Sequence, residues 1–507
     1  TKPIVSVSFD NNNVRNGMYF NAGRTATITI KEHNFDAGRV VMTATNATAG
    51  ADPHTGWVQS KDNKDIWTKT VTFNPQDATC EFNIEVTDLA GNVCRNTGVN
   101  YGNSAAHDKF VIDQVNPTLG VTGTNQTPYS DACTPGFTGN DTNISDGQHN
   151  AEYTVQLTRN VREHKNQDVT SLFANVNPNM GKDLISAVYA NIPDDAENDG
   201  IYTLNVSVTD LAGNSSQTSN TFTVNRHGSF YVFNDDLAKL VNDKFVQKAD
   251  GKYSITEYNA SPLVAGSVKI EIYRDGQLVK TIKPTVGAAV LGASGLYEYT
   301  YDLPTENFAQ DGRYSVSVSS VDEAKNTSDN TKLEESILEF TVDSVNPEIV
   351  IIKGLEKAIV NAEELEFTVN AVDTYGIKSI QIVVDGEVVK TFVPQEVYDQ
   401  LKAEGKAMQQ YEVMDENLDF TAAYTLYESS STQSIEIVVT DMAGNSFTTA
   451  SKDFDPVYDF HDSILVSTSF FARYIHNPVA VVGTGIVIAG AVWLVIAKKK
   501  KTEEAAA

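Results

Sequence analysis

Cysteine is nearly missing from this chain, with three residues in 507, which excludes a scaffold built from disulfides and leaves folding to apolar burial. Cys80, Cys94 and Cys133 allow at most one bridge. Cys80 and Cys94 are the candidate pair, although the hairpin carrying both should hold them on different rungs. Basic side chains are scarce too: 38 Lys and Arg stand against 66 Asp and Glu. No basic stripe occurs outside the extreme C-terminus, which argues against nucleic acid as a partner. Catalytic signatures are also lacking. No HExxH, GxSxG, P-loop or CxxC spacing occurs, and the eight histidines are scattered rather than grouped with carboxylates. With acids so abundant, any two chosen as an acid and base pair would be a chance pairing, and the expectation is a protein that is not an enzyme. Thr1 is not an initiator and no signal peptide precedes it, so the sequence reads as a processed or truncated product.

What is present is a repeat. Asp210-Leu211-Ala212-Gly213-Asn214 has copies at Asp88-Leu89-Ala90-Gly91-Asn92 and Asp441-Met442-Ala443-Gly444-Asn445, with a worn version at Asp322-Glu323-Ala324-Lys325-Asn326. Each follows an alternating run such as Tyr202, Leu204, Val206 and Val208, and each precedes a second extended run. Asp bonds its own backbone at a turn, Gly takes positive φ without steric cost and Asn tolerates the left-handed region, so the motif predicts a hairpin turn. Four hairpins about 110 to 120 residues apart match four β-sandwiches of ~100 residues each.

The expected organisation is all-β, with domains over 1–113, 114–224, 225–343 and 344–456. The early strand of the first is Arg24 to Ile30, β-branched and alternating. Gln114-Val115-Asn116-Pro117 opens the second domain and Ser344-Val345-Asn346-Pro347 opens the fourth; the residue before each proline is biased to extended backbone, so each linker passes straight into a strand. Asp275-Gly276 and Asp385-Gly386, each between apolar runs, predict two further hairpins. An insert from Gln395 to Met408 suits one short surface helix.

A juxtamembrane segment is expected over 457–477, then a transmembrane helix over 478–497, twenty residues without charge, and a cytoplasmic tail over 498–507. Twenty residues at ~1.5 Å each cover ~30 Å, the thickness of a bilayer's hydrocarbon. Lys498 to Lys501 follow at once, which places them in the cytoplasm and the sandwiches outside. The expected localisation is therefore the cell membrane, crossed once, with an extracellular N-terminal region.

The T-D-x-A-G-N repeats, together with the F-x-x-D-x-x-N-P junctions, resemble the bacterial immunoglobulin-like domains found in tandem in surface proteins and adhesins of Gram-positive bacteria. The resemblance spans nearly all of 1–456 and implies a sandwich fold with a stalk, spacer or ligand-binding role. It departs from the wall-sorted pattern in having no Leu-Pro-x-Thr-Gly motif, so the helix itself would be the anchor. The leading expectation is a membrane-tethered extracellular stalk presenting a distal module. Strands of about ten residues make a unit of roughly 40 Å with its loops, so four reach ~150 Å. The alternatives are an adhesin that binds a glycan or host protein through loops of the N-terminal domains, and an accessory region of a surface carbohydrate-active enzyme. Tyr202 and Tyr314, each eight residues before a hairpin Asp, occupy the place of a tyrosine corner, whereas Cys80 and Gln433 stand there in domains one and four.

Metal binding is the one chemistry the carboxylates suggest. Asp141 to Gly147 with Glu152 approaches a calcium-loop spacing, but its glycine falls one place late; Asp195 to Gly200 lacks the carboxylate at the twelfth place. The junctions between domains are better placed, because the last hairpin of a sandwich lies at the pole where the chain enters. Asp210 is therefore expected near Asp113 and Asn116, and Asp441 near Asp343 and Asn346, around Ca2+. The simpler alternative is that each Asp only caps its turn. Junction two-three reads Asn225-Arg226-His227-Gly228, and there Arg226 is expected to replace the ion by pairing with Asp322 and Glu323.

Overall fold

The computed structural model describes residues 1–469 except 126–127, 174–175, 286, 288, 407 and 456–458. Its β-strands form eight sheets, and no sheet mixes strands from before and after 114, 225 or 344. In each stretch one sheet is built on three strands, as in Ile4–Phe9, Arg24–Lys31 and Ile66–Phe73, or Glu348–Lys353, Glu364–Val372 and Asp419–Tyr427. The facing sheet carries the hairpin strand: Asp77–Thr87, Gly200–Thr209, Gly312–Val321 or Gln433–Asp441. Period-two burial explains the layering. Arg24, Ala26, Ile28 and Ile30 point inward from one strand and Cys80, Phe82, Ile84 and Val86 from its counterpart, which closes one apolar core between two sheets. Four such cores exist, each drawn from one stretch alone.

The two Asp-Gly turns are two-residue hairpins. Asp275 and Gly276 have φ of 50° and 75°, Asp385 and Gly386 of 53° and 84°, the mirror-image turn that matches the twist of the flanking strands. The insert forms the helix Gln395–Ala403. A second helix, Asp235–Asp243, is not among the elements expected above; Asn234 caps it by accepting from the Leu237 amide at 3.1 Å, and Leu237 and Leu240 bury its inner side.

The tyrosine corners form where expected. Tyr202 donates to the Asn198 carbonyl and Tyr314 to that of Gln310, both at 2.7 Å. In domain one, where Cys80 takes this place, a buried cation ties the core instead. The Arg24 guanidinium lies 4.1, 3.9 and 4.7 Å from the ring centres of Phe9, Phe20 and Phe110. It donates to the carbonyls of Asn11, Ala105 and Ala106, so its desolvation is offset by three acceptors and three π faces. Burial lowers its pKa to about 10. The three cysteines are buried and unpaired. Cys80 faces Phe110 while Cys94 faces Val86, six residues along the same strand, so a bridge between them is out of reach.

One boundary is corrected. The strand Ser463–Val466 lies inside the stretch expected to be juxtamembrane, yet it runs parallel to Ile359–Val360 and antiparallel to Gln433–Asp441, with Ile464 and Val466 fully buried. It gives domain four the closing strand that Leu338–Val342 gives domain three. A loop of Asp, Pro and aromatic residues separates it from the hairpin, which disguised it in the sequence. The helix expected over 478–497 and the tail over 498–507 lie outside the described residues; among the described residues no helix is long and apolar enough to cross a membrane.

Candidate metal centres

Each hairpin Asp closes its turn in the same way. Asp210 Oδ1 accepts from the amides of Ala212, Gly213 and Asn214 at 2.8, 2.7 and 2.9 Å, and Oδ2 accepts from Asn214 Nδ2 at 2.9 Å. Asp88 with Asn92, Asp322 with Asn326 and Asp441 with Asn445 repeat the pattern. Gly91, Gly213 and Gly444 have φ of 84°, 99° and 91°, and Lys325 takes 72° in the worn copy. The hairpin Asn has a second task. Asn214 Nδ2 donates to the Asp113 carbonyl at 2.9 Å, Asn326 Nδ2 to that of Asn225 at 3.1 Å and Asn445 Nδ2 to that of Asp343 at 2.8 Å. Every junction is thus closed by an amide reaching back to the residue that ends the preceding domain.

At the first and third junctions three carboxylates converge. Asp113, Asp141 and Asp210 offer oxygens within 4.8 Å of one another, and so do Asp343, Asp373 and Asp441. One comes from the closing strand of the preceding domain, one from just after a central strand of the next domain's first sheet (Gly136–Asn140 or Glu364–Val372), and one from its hairpin. The closing-strand and hairpin residues are buried, the third half-buried. Among the described residues no Lys or Arg lies within salt-bridge distance of any of the six. Burial, reinforced by the neighbouring carboxylates, raises the pKa of Asp113 and of Asp343 to about 6 and also raises those of Asp141 and Asp441, and burial alone raises that of Asp210. Three like charges in a half-dry pocket must take up protons or share a cation. Calcium suits the donor set: it takes oxygen ligands at about 2.4 Å, which places them at most about 5 Å apart across the ion.

Asn116 and Asn346, the other expected ligands, are exposed. Asp141 and Asp373 converge instead, and neither was assigned to a junction from the sequence. The signal for Asp141 was the acid-x-Asn phrase after the central strand, Glu32-His33-Asn34 and Asp141-Thr142-Asn143. In both, the acid accepts from the backbone amide of the Asn, at 2.9 Å. The near-calcium loop does not form a chelate. Asp146 accepts from the backbone of Gln148 and His149 and from the Tyr19 hydroxyl, while Glu152 pairs with Arg15 at 3.2 Å. Asp195 caps a short helical turn, and Asp199 accepts from the amides of Arg226 and His227.

The middle junction is built differently. Asn225 stands at the place of Asp113 and Asn259 near that of Asp141, leaving Asp322 as the one carboxylate. Asn225 Nδ2 donates to Asn259 Oδ1 at 2.7 Å and to Asp322 Oδ2 at 2.8 Å, and Asn259 Nδ2 donates to Asp322 Oδ2 at 3.1 Å and to Ser229 Oγ at 2.9 Å. The network continues through Ser229 to the buried Glu257, which Tyr301 also reaches at 2.7 Å. Arg226 does not pair with Asp322 or Glu323. Its guanidinium turns back to the carbonyls of Asp131, Ile192 and Pro193, while the amides of Asn225 and Asn259 meet Asp322 instead.

No protein-family model matches the sequence, and no curated protein does. Among solved structures, the chain is similar to a tetra-tandem repeat from the extending region of a large adhesion protein, at 15% identity over 88% of this chain and 97% of that one, with a TM-score of 0.31. It is also similar to a Ca2+-stabilised adhesin with which an Antarctic bacterium binds ice, at 15% identity over 89% and 97%, TM-score 0.19. Fibronectin(III)-like modules of Clostridium thermocellum CbhA match at 14% identity over 47% of this chain and 95% of theirs, TM-score 0.20. The sandwich architecture rests on the strand pairing rather than on these likenesses.

Proposed function

We propose that the chain is a stalk of a cell-surface protein, four immunoglobulin-like sandwiches in series, whose first and third junctions are clamped by calcium. The observation that carries this reading is the convergence at each of those junctions of three carboxylates, two of them buried, with no basic partner among the described residues. An ion held by Asp113, Asp141 and Asp210 would tie the end of domain one to two separate loops of domain two, and so resist bending. Asp343, Asp373 and Asp441 would do the same for domains three and four. Weak oxygen sites of this kind fill at extracellular calcium concentrations. The stretch 478–497 supports a single membrane-spanning anchor, with the sandwiches outside the cell and an extracellular glycan or protein as the partner of whatever the stalk presents.

Small-angle scattering on residues 1–469 tests the clamp. Calcium should lengthen and narrow the distance distribution, and a chelator should broaden it. An identical curve in both conditions would return the aspartates to simple turn caps. Protease added to wall-stripped cells tests the orientation: it should remove the sandwiches and spare the segment after Lys498.

A further inference from the structure

Domain one carries, at its N-terminal pole, counterparts of the elements with which domain two holds the domain before it; Glu32 and Asp88 are buried there, but the tip of the turn, Leu89 and Ala90, faces solvent. Glu32 accepts from the Asn34 amide at 2.9 Å, as Asp141 does from Asn143, and the Leu89 amide bonds the Asn34 carbonyl at 3.2 Å, as Leu211 bonds that of Asn143 at 3.0 Å. Asp88 and Asn92 form the same cage as Asp210 and Asn214. Pro3 is buried at the start of the first strand, as Pro117 and Pro347 are.

The contrast lies in what covers the turn. Leu211 and Ala212 are each 1% exposed, packed under Met18, Tyr19 and Val111 of domain one, whereas Leu89 is 55% exposed and Ala90 is open. A Cβ at Gly213 would meet Arg15 of the preceding domain at 2.5 Å; one at Gly91 meets nothing within 4 Å. Asn214 spends one amide proton on the Asp113 carbonyl, and Asn92 has the same donor without that acceptor.

We propose that this pole is the receiving half of a fourth junction, shaped for the C-terminal end of another sandwich of the same kind joined ahead of Thr1. Its closing strand would end on an acidic residue two places before Thr1, since Asp113 and Asp343 each stand four places before their proline. An apolar ledge like that of Met18, Tyr19 and Val111 would cover Leu89. The inference rests on the packing at the first junction and not on calcium.

The test places Leu89→Cys in the full chain and measures its rate of reaction with a soluble disulfide reagent. The three native cysteines are buried and supply the slow background. A second version joins an extra copy of residues 1–114 directly before Thr1, so that Asp113-Gln114-Thr1-Lys2-Pro3 reproduces the native spacing. A third inserts a flexible Gly/Ser linker at that join. Leu211→Cys in the original chain is the covered reference. The expected result is fast reaction at Leu89→Cys in the original and linker versions, and slowing by about tenfold or more in the direct fusion, approaching Leu211→Cys. Equal reactivity in the direct and linker fusions, with Leu211→Cys protected, overturns the inference and leaves the calcium reading standing. Fast reaction at Leu211→Cys as well would overturn it too, by removing the junction it copies. Repeating the Leu211→Cys measurement with chelator reads the calcium clamp separately.

Discussion

The first and third junctions use three carboxylates where the middle one uses a single carboxylate and two amides, on the same turn and with the same Asn-to-carbonyl bond. The difference amounts to a single atom type at two positions. Asn225 and Asn259 supply amide donors to Asp322, the one carboxylate of its trio. At the first junction Asp113 also has an amide donor, Asn143 Nδ2 at 2.7 Å, but three converging carboxylates there leave more charge than one amide offsets, to be balanced by protons or a cation. On the proposed calcium clamp, the chain would have two junctions whose stiffness follows the surrounding ions and one whose stiffness does not.

The most direct way to break the comparison is to exchange the atom types. Asn225→Asp with Asn259→Asp should destabilise the middle junction by about 3 kcal/mol in chelator, the order expected for uncompensated buried charge, and calcium should restore it. The reverse exchange, Asp113→Asn with Asp141→Asn, should abolish the calcium response at the first junction. Calorimetric melting with and without chelator reads both. A calcium effect in neither chain would mean that the carboxylates do not form an ion site.

A smaller effect separates the turn from the junction. Gly213→Val should cost about 2 kcal/mol from positive φ alone, with a further loss from collision with Arg15. Gly91→Val has the same strain and no neighbour, so the difference between the two melting shifts measures the junction. Equal shifts would show that Arg15 yields freely.

The pH dependence sharpens the contrast further. Asp113 and Asp343 have pKa values raised from 3.8 to about 6. Between those values the folded chain holds protons that the unfolded chain has released, so without calcium the stability they contribute is fullest below pH 3.8 and declines as pH rises to about 6. Calcium binding has the opposite sign: it competes with those protons and should weaken below pH 6 by roughly tenfold per unit for each proton displaced. Calorimetric titrations at pH 5 and 7 check this. Asn225 has no proton to exchange, so the middle junction should lack the calcium-coupled part of the trend, although burial there also raises the pKa of Glu257 and Asp199.

The smallest effect concerns the domains flanking the middle junction. Tyr314→Phe removes the hydroxyl bond to the Gln310 carbonyl and should lower stability by about 1 kcal/mol without altering the calcium response. A changed calcium response would link the corner to the poles.

The repeat made the four sandwiches legible, because period-two burial and an Asp-x-Ala-Gly-Asn turn are local signals. Asp113, Asp210, Asp343 and Asp441 could be singled out because each sits in a repeated phrase. Asp141 and Asp373 were missed as junction residues because their loops share only an acid after the central strand, and the three carboxylates of each group are brought together by tertiary packing. Arg226 was misassigned for a related reason: charge alone suggested an ion pair, and only the fold shows that the amide of Asn225 meets Asp322 instead. The closing strand Ser463–Val466 is short, and its partner Ile359–Val360 lies about a hundred residues earlier, beyond any local pattern.

The bond from hairpin Asn to the preceding carbonyl has a consequence for how such a chain can evolve. A backbone carbonyl is common to all residues, so the acceptor is indifferent to which side chain ends the neighbouring domain: Asn326 meets Asn225 as Asn214 meets Asp113. A unit can then be duplicated, deleted or reordered and still find its latch, while the side chains around the latch vary between three carboxylates and one carboxylate with two amides. On the proposed clamp, length and ion sensitivity would then be separately heritable traits of the chain.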